Sequence, residues 1–502
     1  MANPLTSDFV REKLAALCPL TVAFARCKGR KNTAPCNGFP GKISDLVEID
    51  LSLWRVPRCF FLRRAADCGV NSYLCTHMEQ KTDMESNGYE VIVVGAGAAG
   101  MMAAGTAARN GHKVLLLEKM EKSGRKVRIT GKGRCNVTNA RPPEEFASQV
   151  RTNADFFAPA FAEFNNKATI RFFERMGVKL DIERGERVFP RSGKAWDIAN
   201  ALLDYCVENG VKIVYDTQVL EILTDGDRVY GVKYRNKRGF VRQEECSRVI
   251  VATGGLSYPA TGSTGDGYLF ASDLGHTVEP VRPSLTPLRS SHPQVRNMHG
   301  LLLKNVRATL YVDNEPIREE FGELGFSERG IEGAVALRLS RDAVDALIDG
   351  KSVKIVVDMK PALDEEVLRN RIQREMAELQ PEDMFSELLR KLVPRTMVIP
   401  LAEELDIHSQ TYLRKITPEQ IERLIKVLKG MVFPITDYAP FEYAVVTAGG
   451  VRCDEVNPYT MESRKVRGLY FAGEVLDLDA NTGGYNLQIA FSTGRLAGML
   501  KR

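Results

Sequence analysis

The sequence predicts an α/β fold in which a parallel sheet is begun, interrupted by an inserted domain, and then completed. Three observations carry that reading. Residues 89–118, YEVIVVGAGAAGMMAAGTAARNGHKVLLLE, set an apolar run, a Gly-x-Gly-x-x-Gly turn, a small-residue helical pattern and a second apolar run end to end. From Pro280 the texture changes to prolines and alternating strands, followed by charged helical pattern. Beyond Tyr438, short apolar runs and glycine turns return.

Val91–Val94 and the run ending at Glu118 read as neighbouring parallel strands, because a strand covered on both faces needs a continuous apolar run. Gly95, Gly97 and Gly100 have the spacing of a dinucleotide-binding turn. Gly95 permits the tight turn, Gly97 lets the backbone approach a pyrophosphate, and Gly100 lets the helix pack close to the sheet. The pyrophosphate would rest on free N–H groups at the helix N-terminus, where the dipole favours an anion. Glu118 closes the second strand, where a carboxylate takes ribose hydroxyls. Residues 91–108 carry no charge, a length that reaches the lower bound for a membrane span. Gly95, Gly97, Gly100, Gly105 and Thr106 belong instead to a turn and a close-packed helix, so no transmembrane segment is predicted.

The next stretch, Lys119–Asn139, is a basic, glycine-containing loop without a hydrophobic period. Its place after the ribose acid, with Lys119 first, suits the remaining phosphate and ring of a long cofactor; a solvated basic loop is the plain alternative. Helical patterns are expected at Ala154–Met176 and Ala195–Asn209, and a turn and short strand at Gly185–Pro190. Strands are expected at Lys212–Tyr215, Val219–Leu223 and Arg228–Arg235, the last two joined by the Asp225-Gly226 hairpin signal. Arg248–Ala252 reads as a buried strand ending in Thr253-Gly254-Gly255. The glycines of 262–267 then open a helix, and backbone donors beside a strand end suit a phosphate or ribityl chain. Pro280, Pro283, Pro287 and Pro293 read as a linker, with strands through Leu301–Val312, a hairpin at Asp313-Asn314, and helices over Leu363–Gly430. The first domain resumes with strands near Phe441–Thr447 and Gly468–Ala472 and closes with a helix from Tyr485 to Met499.

A chain of 502 residues exceeds one core, so several domains are expected. They are drawn as an extension at 1–83, a first domain at 84–280 and 439–502, and an insert at 281–438. The formal charge of +5 is uneven: the first 75 residues hold 11 Lys/Arg against 6 Asp/Glu, and the remainder holds 58 of each. A neutral body argues against a dedicated nucleic-acid surface, and no nucleic-acid or membrane partner is expected. Six of the ten cysteines precede residue 76, none in a CxxC. The other four are too scattered for a disulfide framework, which points to the cytoplasm. Residues 1–83 read as a dispensable extension, with Met84 as a natural start. The histidines have no HxH or HxxxH spacing, so no metal site is expected.

Several segments together resemble one family: GAGAAGMMAA, GRKVRITGKGRCNVTN, RVFPRSGKA, VIVATGGLSYPATGSTGDGY, AVVTAGGV and GLYFAGEVLDLDANTGGYNLQIAFSTG. From about Tyr89 onward the chain is similar to the BaiN-like (YhiN-type) bacterial NAD(P)/FAD-dependent oxidoreductases. The resemblance implies a Rossmann-like FAD-binding domain, of the glutathione-reductase βαβ type, interrupted by a β-barrel plus helical insert. It implies that Gly95, Gly97, Ala98, Ala99 and Gly100 hold the FAD pyrophosphate and Glu118 the adenosine ribose. Lys126, Arg134, Cys135 and Asn136 would line the flavin, and Val219 would meet adenine through its backbone. Thr253 and Gly254 belong to the same cofactor set. Gly473 and Glu474 would reach the ribityl chain. Gly484, Asn486 and Leu487 would open a helix whose N–H groups face the pyrimidine edge of the ring. One segment departs from the family: FTHFGLSGPAVL is replaced by Phe326-Ser-Glu-Arg-Gly330-Ile-Glu-Gly-Ala334, with Ser327-Glu328 for the usual Thr-His.

Since flavin carries the redox step, the protein need only orient substrate and manage protons. Tyr258 is a candidate proton donor, weighed against a packed tyrosine with a satisfied hydroxyl. Tyr485, Asn486 and Asp477 are further polar candidates. Arg134 is expected on a phosphate rather than a substrate anion, and Cys135 as a small packing residue beside the ring. The resemblance leaves three functions open. The first is reduction of a conjugated C=C bond in a steroid or bile-acid enone, with NAD(P)H as a transient electron donor. The second is oxidation of a small amine of the aminoketone type with O2. The third is a flavin-binding module or a partner in RNA modification.

Overall fold

The computed structural model describes residues 88–501, so the expectation for the extension lies outside the described residues. Val91–Val94, buried at every position, is the middle strand of a five-stranded sheet. The order is Leu469–Phe471, Arg248–Val251, Val91–Val94, Val114–Leu117, Lys212–Val214, and every pairing is parallel. Val94 is level with Val251 and Leu117, and Val251 with Phe471. Four strands therefore end together, and Gly95, Glu118, Thr253 and Gly473 emerge at one carboxyl edge, where open α/β sheets bind ligands.

The uncharged run 91–108 is consumed by this strand and by helix contacts. Helix Ala98–Arg109 is buried along most of its length. It meets the closing helix Tyr485–Met499 so closely that a Cβ on Gly494 or Gly498 would lie 2.4 or 2.3 Å from the carbonyl oxygens of Ala99 and Ala103. On another side Gly105 receives the Tyr205 ring from helix Ala195–Glu208, with a built Cβ 2.4 Å from it. Among the described residues no helix is long and apolar enough to cross a membrane.

Three smaller pieces surround the sheet: Gln218–Asp225, Arg228–Arg235 and Val241–Glu245 as one antiparallel sheet, Thr138–Asn139, Arg187–Pro190 and Leu180–Glu183 as another, and a two-stranded ribbon. That ribbon pairs Val278–Ser284 with Val446–Val451 and marks where the chain leaves and re-enters the first domain. Pro280 and Pro283, expected in a linker, lie within it, which a two-stranded edge tolerates. The resuming strand falls later than expected and outside the parallel sheet. Gly449 and Gly450 are strand residues where the partner backbone passes close by. A Cβ on Gly449 would lie 2.3 Å from the Pro280 carbonyl oxygen.

Six strands between Leu288 and Tyr438 close into a barrel, in the order Leu288–Ser290, Gly330–Glu332, Glu315–Ser327, Leu302–Val312, Val353–Asp358, Met431–Tyr438. The hairpin at Asp313-Asn314 has both residues at positive φ, 49° and 71°, the conformation that tight two-residue turns demand. Helices Gly333–Ile348, Glu365–Ala377, Phe385–Leu392 and Pro418–Gly430 pack on the barrel side. The buried apolar residues form two separate cores, one drawn from Val91–Ala271 and Val451–Leu500, the other from Leu288–Ile435.

Two local expectations change. The pattern Ala154–Met176 is two helices, Ala154–Glu163 and Asn166–Arg175, because the Asn165 side chain caps the second by accepting from the Ala168 N–H at 3.0 Å. The basic loop contains a short helix, Arg125–Ile129, and a turn with Gly131 and Lys132 in the left-handed region.

Candidate functional site

A cavity of about 1650 Å³ opens at the carboxyl edge of the sheet and extends to the barrel. Ligand pockets usually measure ~300–1,000 Å³, so this one has room for a long cofactor and a second molecule. Its first wall is mostly backbone. Gly95 has φ 99°, and a Cβ there would lie 2.7 Å from the Ala252 carbonyl oxygen. A Cβ on Gly100 would lie 1.8 Å from the Gly95 carbonyl oxygen. Gly100 thus packs the helix onto the turn and does not line the cavity. At Gly97 a Cβ would meet nothing within 4 Å, so that position faces open cavity. The helix it caps has no side-chain cap, leaving its first N–H groups, those of Ala98 and Ala99 among them, for a ligand.

Glu118 is buried, and its two oxygens accept from the N–H groups of Ala96 at 2.7 Å and Met120 at 2.8 Å. Burial raises its pKa, opposed by those two backbone bonds. Each oxygen keeps a lone pair for a ribose hydroxyl. Val219, Thr253 and Gly254 line the same end. Lys119 reaches Asp266 at 2.7 Å and also Thr264, drawing the second glycine-rich turn against the first loop. Lys126 donates to both oxygens of Glu474, at 2.7 and 3.1 Å, and Glu474 also accepts from the Thr447 N–H at 2.8 Å. Gly473, which a Cβ would bring to 2.8 Å from Ala99 Cβ, lets this turn approach the first helix.

The closing helix starts from Gly484, at φ 99° and without a side-chain cap. Any Cβ there would lie 2.4 Å from the Thr138 carbonyl oxygen. The N–H groups of Tyr485, Asn486 and Leu487, all at the cavity, are this helix's open donors. Asn136 also lines the cavity, and its Oδ1 is buried with no hydrogen-bond partner. Two uncapped helix starts, an open Gly97 and an orphaned buried acceptor are what a flavin dinucleotide would satisfy, so the residues present fit FAD.

Other expected residues play different parts. Cys135 does not line the cavity. With φ 59° and no exposure, its side chain belongs to the core, and burial pushes its thiol up to about 12. Arg134 lines the cavity, but it pairs with Glu183 and stacks over Phe189 with 4.3 Å to the ring centroid. Asn486 is spent structurally: its amide accepts from the Ala480 N–H at 2.9 Å and donates to the Ala480 carbonyl at 2.7 Å. It clamps the loop before the closing helix, a structural part not expected from the sequence. The Tyr485 ring packs edge-on against Phe146, 4.8 Å between centroids, and is a core residue. Asp477 is held by Asn153 outside the cavity. Tyr258 remains at the cavity. Its backbone is left-handed, φ 53°, and no side-chain hydrogen bond holds its hydroxyl among the described residues.

The second wall, from the barrel, is built of side chains, and composition alone did not reveal it. Arg318, Glu320 and Phe321 on one strand and Arg338 on helix Gly333–Ile348 line the cavity. No alternation of charge marks it in sequence, since Arg318-Glu319-Glu320 runs one cation into two acids. In the segment that departs from the family, Glu332, Gly333 and Ala334 reach the cavity and Ser327 and Glu328 do not. Across both walls the lining holds 12 Lys/Arg against 6 Asp/Glu. The neutral body thus conceals a local positive excess.

One further cluster lies elsewhere. His276 Nε2 is 2.8 Å from Ser463 Oγ, and its Nδ1 is 3.2 Å from Glu455. Ser463 Oγ already accepts from the N–H groups of Lys465 and Val466 at 3.0 and 2.8 Å, and His276 and Ser463 are buried. The group fixes a turn and has no nucleophile to offer.

Residues 89–500 match the family described as HI0933-like protein Rossmann domain. The chain is 33% identical to the 3-dehydro-bile acid delta(4,6)-reductase of Clostridium scindens, covering 81% of this chain and 97% of that protein. It is 30% identical to a ribosomal RNA dihydrouridine synthase of Escherichia coli, over 81% and 96% of the two chains. A protein of the same description from Haemophilus influenzae is also 30% identical, over 80% and 96%. With the glycine turns, the ribose acid and the uncapped helix starts gathered at one sheet edge, the chain belongs to the HI0933-like Rossmann family and is an FAD-dependent oxidoreductase.

Proposed function

We propose that the protein reduces a carbon–carbon double bond conjugated to a carbonyl, in a steroid- or bile-acid-like enone, with NAD(P)H as the electron donor. The observation that carries this reading is the continuous cavity running from the glycine turns to the barrel wall, with the Tyr258 hydroxyl, which has no hydrogen-bond partner among the described residues, on it. The bile-acid reductase relative supports the substrate class. FAD, when bound, supplies hydride chemistry. The chain's residues do the rest. The N–H groups after Gly97 bind pyrophosphate, and Glu118 accepts from ribose hydroxyls. The open N–H groups after Gly484 stabilise negative charge near the ring. The barrel wall covers the substrate and excludes water. Tyr258 Oη delivers a proton to the substrate α-carbon.

A second reading has a specific observation in its favour. The excess of basic residues around the cavity suits a phosphate backbone, and two relatives are ribosomal RNA dihydrouridine synthases. Uracil presents the same chemistry, a C=C bond conjugated to a carbonyl. Anaerobic titration with NADPH and NADH tests the donor: bleaching of the flavin band is expected, and its absence with flavin bound transfers the weight to oxidation of an amine. Dihydrouridine content of ribosomal RNA from cells lacking the gene separates the two substrates, an unchanged content favouring the enone.

A further inference from the structure

The barrel wall carries a pair of arginines set at a fixed spacing by one carboxylate. Glu320 accepts from Arg318 Nε through Oε1 at 2.9 Å and from Arg338 Nε through Oε2 at 2.5 Å. With both Nε atoms occupied, the guanidinium planes are fixed and their outer nitrogens turn elsewhere. Arg318 Nη1 donates to Asp342 at 3.3 Å, and Arg338 Nη2 donates to the Phe321 carbonyl at 3.0 Å. Arg318 Nη2 and Arg338 Nη1 have no partner among the described residues. The group of Arg151, Arg318, Arg338, Glu320 and Asp342 holds three positive charges and two negative. The adjoining network of Arg282 and Arg341 with Asp345 and Asp479 is balanced, so it does not cancel that excess.

The strand pleat keeps the pair together. Arg318, Glu320 and Gly322 alternate with the more exposed Glu319, Phe321 and Glu323; Phe321 and Glu323 also reach the cavity, where Lys304 on the neighbouring strand offsets the Glu323 charge. Gly322 sits beside the pair, where a Cβ would lie 3.5 Å from Arg338 Nη2. Glu332 is exposed at the start of the helix, where water screens it. Arginine forks of this kind match planar oxyanions bidentately.

We propose that Arg318 and Arg338, positioned by Glu320, form a clamp for a carboxylate on the substrate, remote from the double bond. This rests on the enone reading and names the substrate as an anionic enone. The probes are 3-oxochol-4-en-24-oate and its methyl ester, which share the enone and differ at the carboxyl end, one anionic and the other neutral with one added methyl. Binding to the oxidised holoprotein without a reductant is measured by calorimetry. A charge-assisted contact made to the acid alone predicts an affinity for the acid about tenfold or more above that for the ester. In Arg338→Gln the acid-to-ester ratio should fall towards unity, and Arg338→Lys should keep part of it. Equal binding of acid and ester, no binding of either, or an unchanged ratio in Arg338→Gln overturns the clamp. Acid preference without any reduction of the double bond keeps the clamp and defeats the enone reading. Reduction without acid preference does the reverse.

Discussion

The two walls of the cavity are made of different material. On the sheet side, Gly95, Gly97, Gly473 and Gly484 remove side chains so that backbone N–H groups face the ligand, and Glu118 is held by two more backbone donors. On the barrel side, Arg318, Glu320, Phe321 and Arg338 present side chains braced by one another. A wall of backbone recognises what every member of a family shares, a phosphate and a ribose. A wall of side chains recognises what differs between members. One fold can host different substrates by varying such side chains, and the relatives this chain is similar to are described as a bile-acid reductase and as a ribosomal RNA dihydrouridine synthase.

The comparison is broken most severely at Gly100. Its missing Cβ is occupied by the Gly95 carbonyl at 1.8 Å, so Gly100→Ala should separate helix from turn. The expected cost is about 3 kcal/mol or more, read as a large drop in thermal midpoint together with loss of bound flavin. A normal midpoint would contradict the packing described. Tyr258→Phe should leave flavin content and reduction by the nicotinamide intact while slowing substrate reduction by about 10²–10⁴-fold. Rapid-mixing kinetics of the two half-reactions separate those effects, and equal rates in the variant would remove Tyr258 from the chemistry. Gly97→Ala sharpens the contrast with Gly100. A Cβ at Gly97 meets nothing, so the apoprotein should keep its midpoint while FAD affinity falls about tenfold or more. Asn486→Ala frees the Ala480 backbone from both its bonds, costing about 1–3 kcal/mol without changing the rate per bound flavin; a rate loss at full flavin occupancy would restore a catalytic role. The smallest effect is at Cys135. Burial holds its thiol protonated far above neutrality, so iodoacetamide at pH 8 should leave it unlabelled by mass spectrometry, whereas rapid labelling would place it at the cavity.

The backbone wall was legible in the sequence because its requirement is glycine at fixed spacing, followed by an acid at a strand end. Gly95, Gly97 and Glu118 stand at the cavity as that spacing expects, and Glu474 and Gly484 stand there as the family resemblance implies. Side-chain roles were less legible. Cys135 sits between two cavity residues yet turns away through a left-handed backbone, a conformation that spacing does not encode. Asn486 carries the same atoms whether it binds a ring or clamps a loop, and only the position of Ala480 decides. The arginine pair was invisible because its members lie on a barrel strand and on the helix that follows, joined by a carboxylate that serves both. Net neutrality describes the sum of charges only, and the fold places a positive excess around one cavity.

The measurement that bears most directly on the central claim is anaerobic reoxidation of the reduced holoprotein by 3-oxochol-4-en-24-oate. The expected result is return of the oxidised flavin band with stoichiometric formation of the product saturated at the ring double bond. A flavin that stays reduced in the presence of the enone, and is reoxidised only when O2 is admitted, would contradict it.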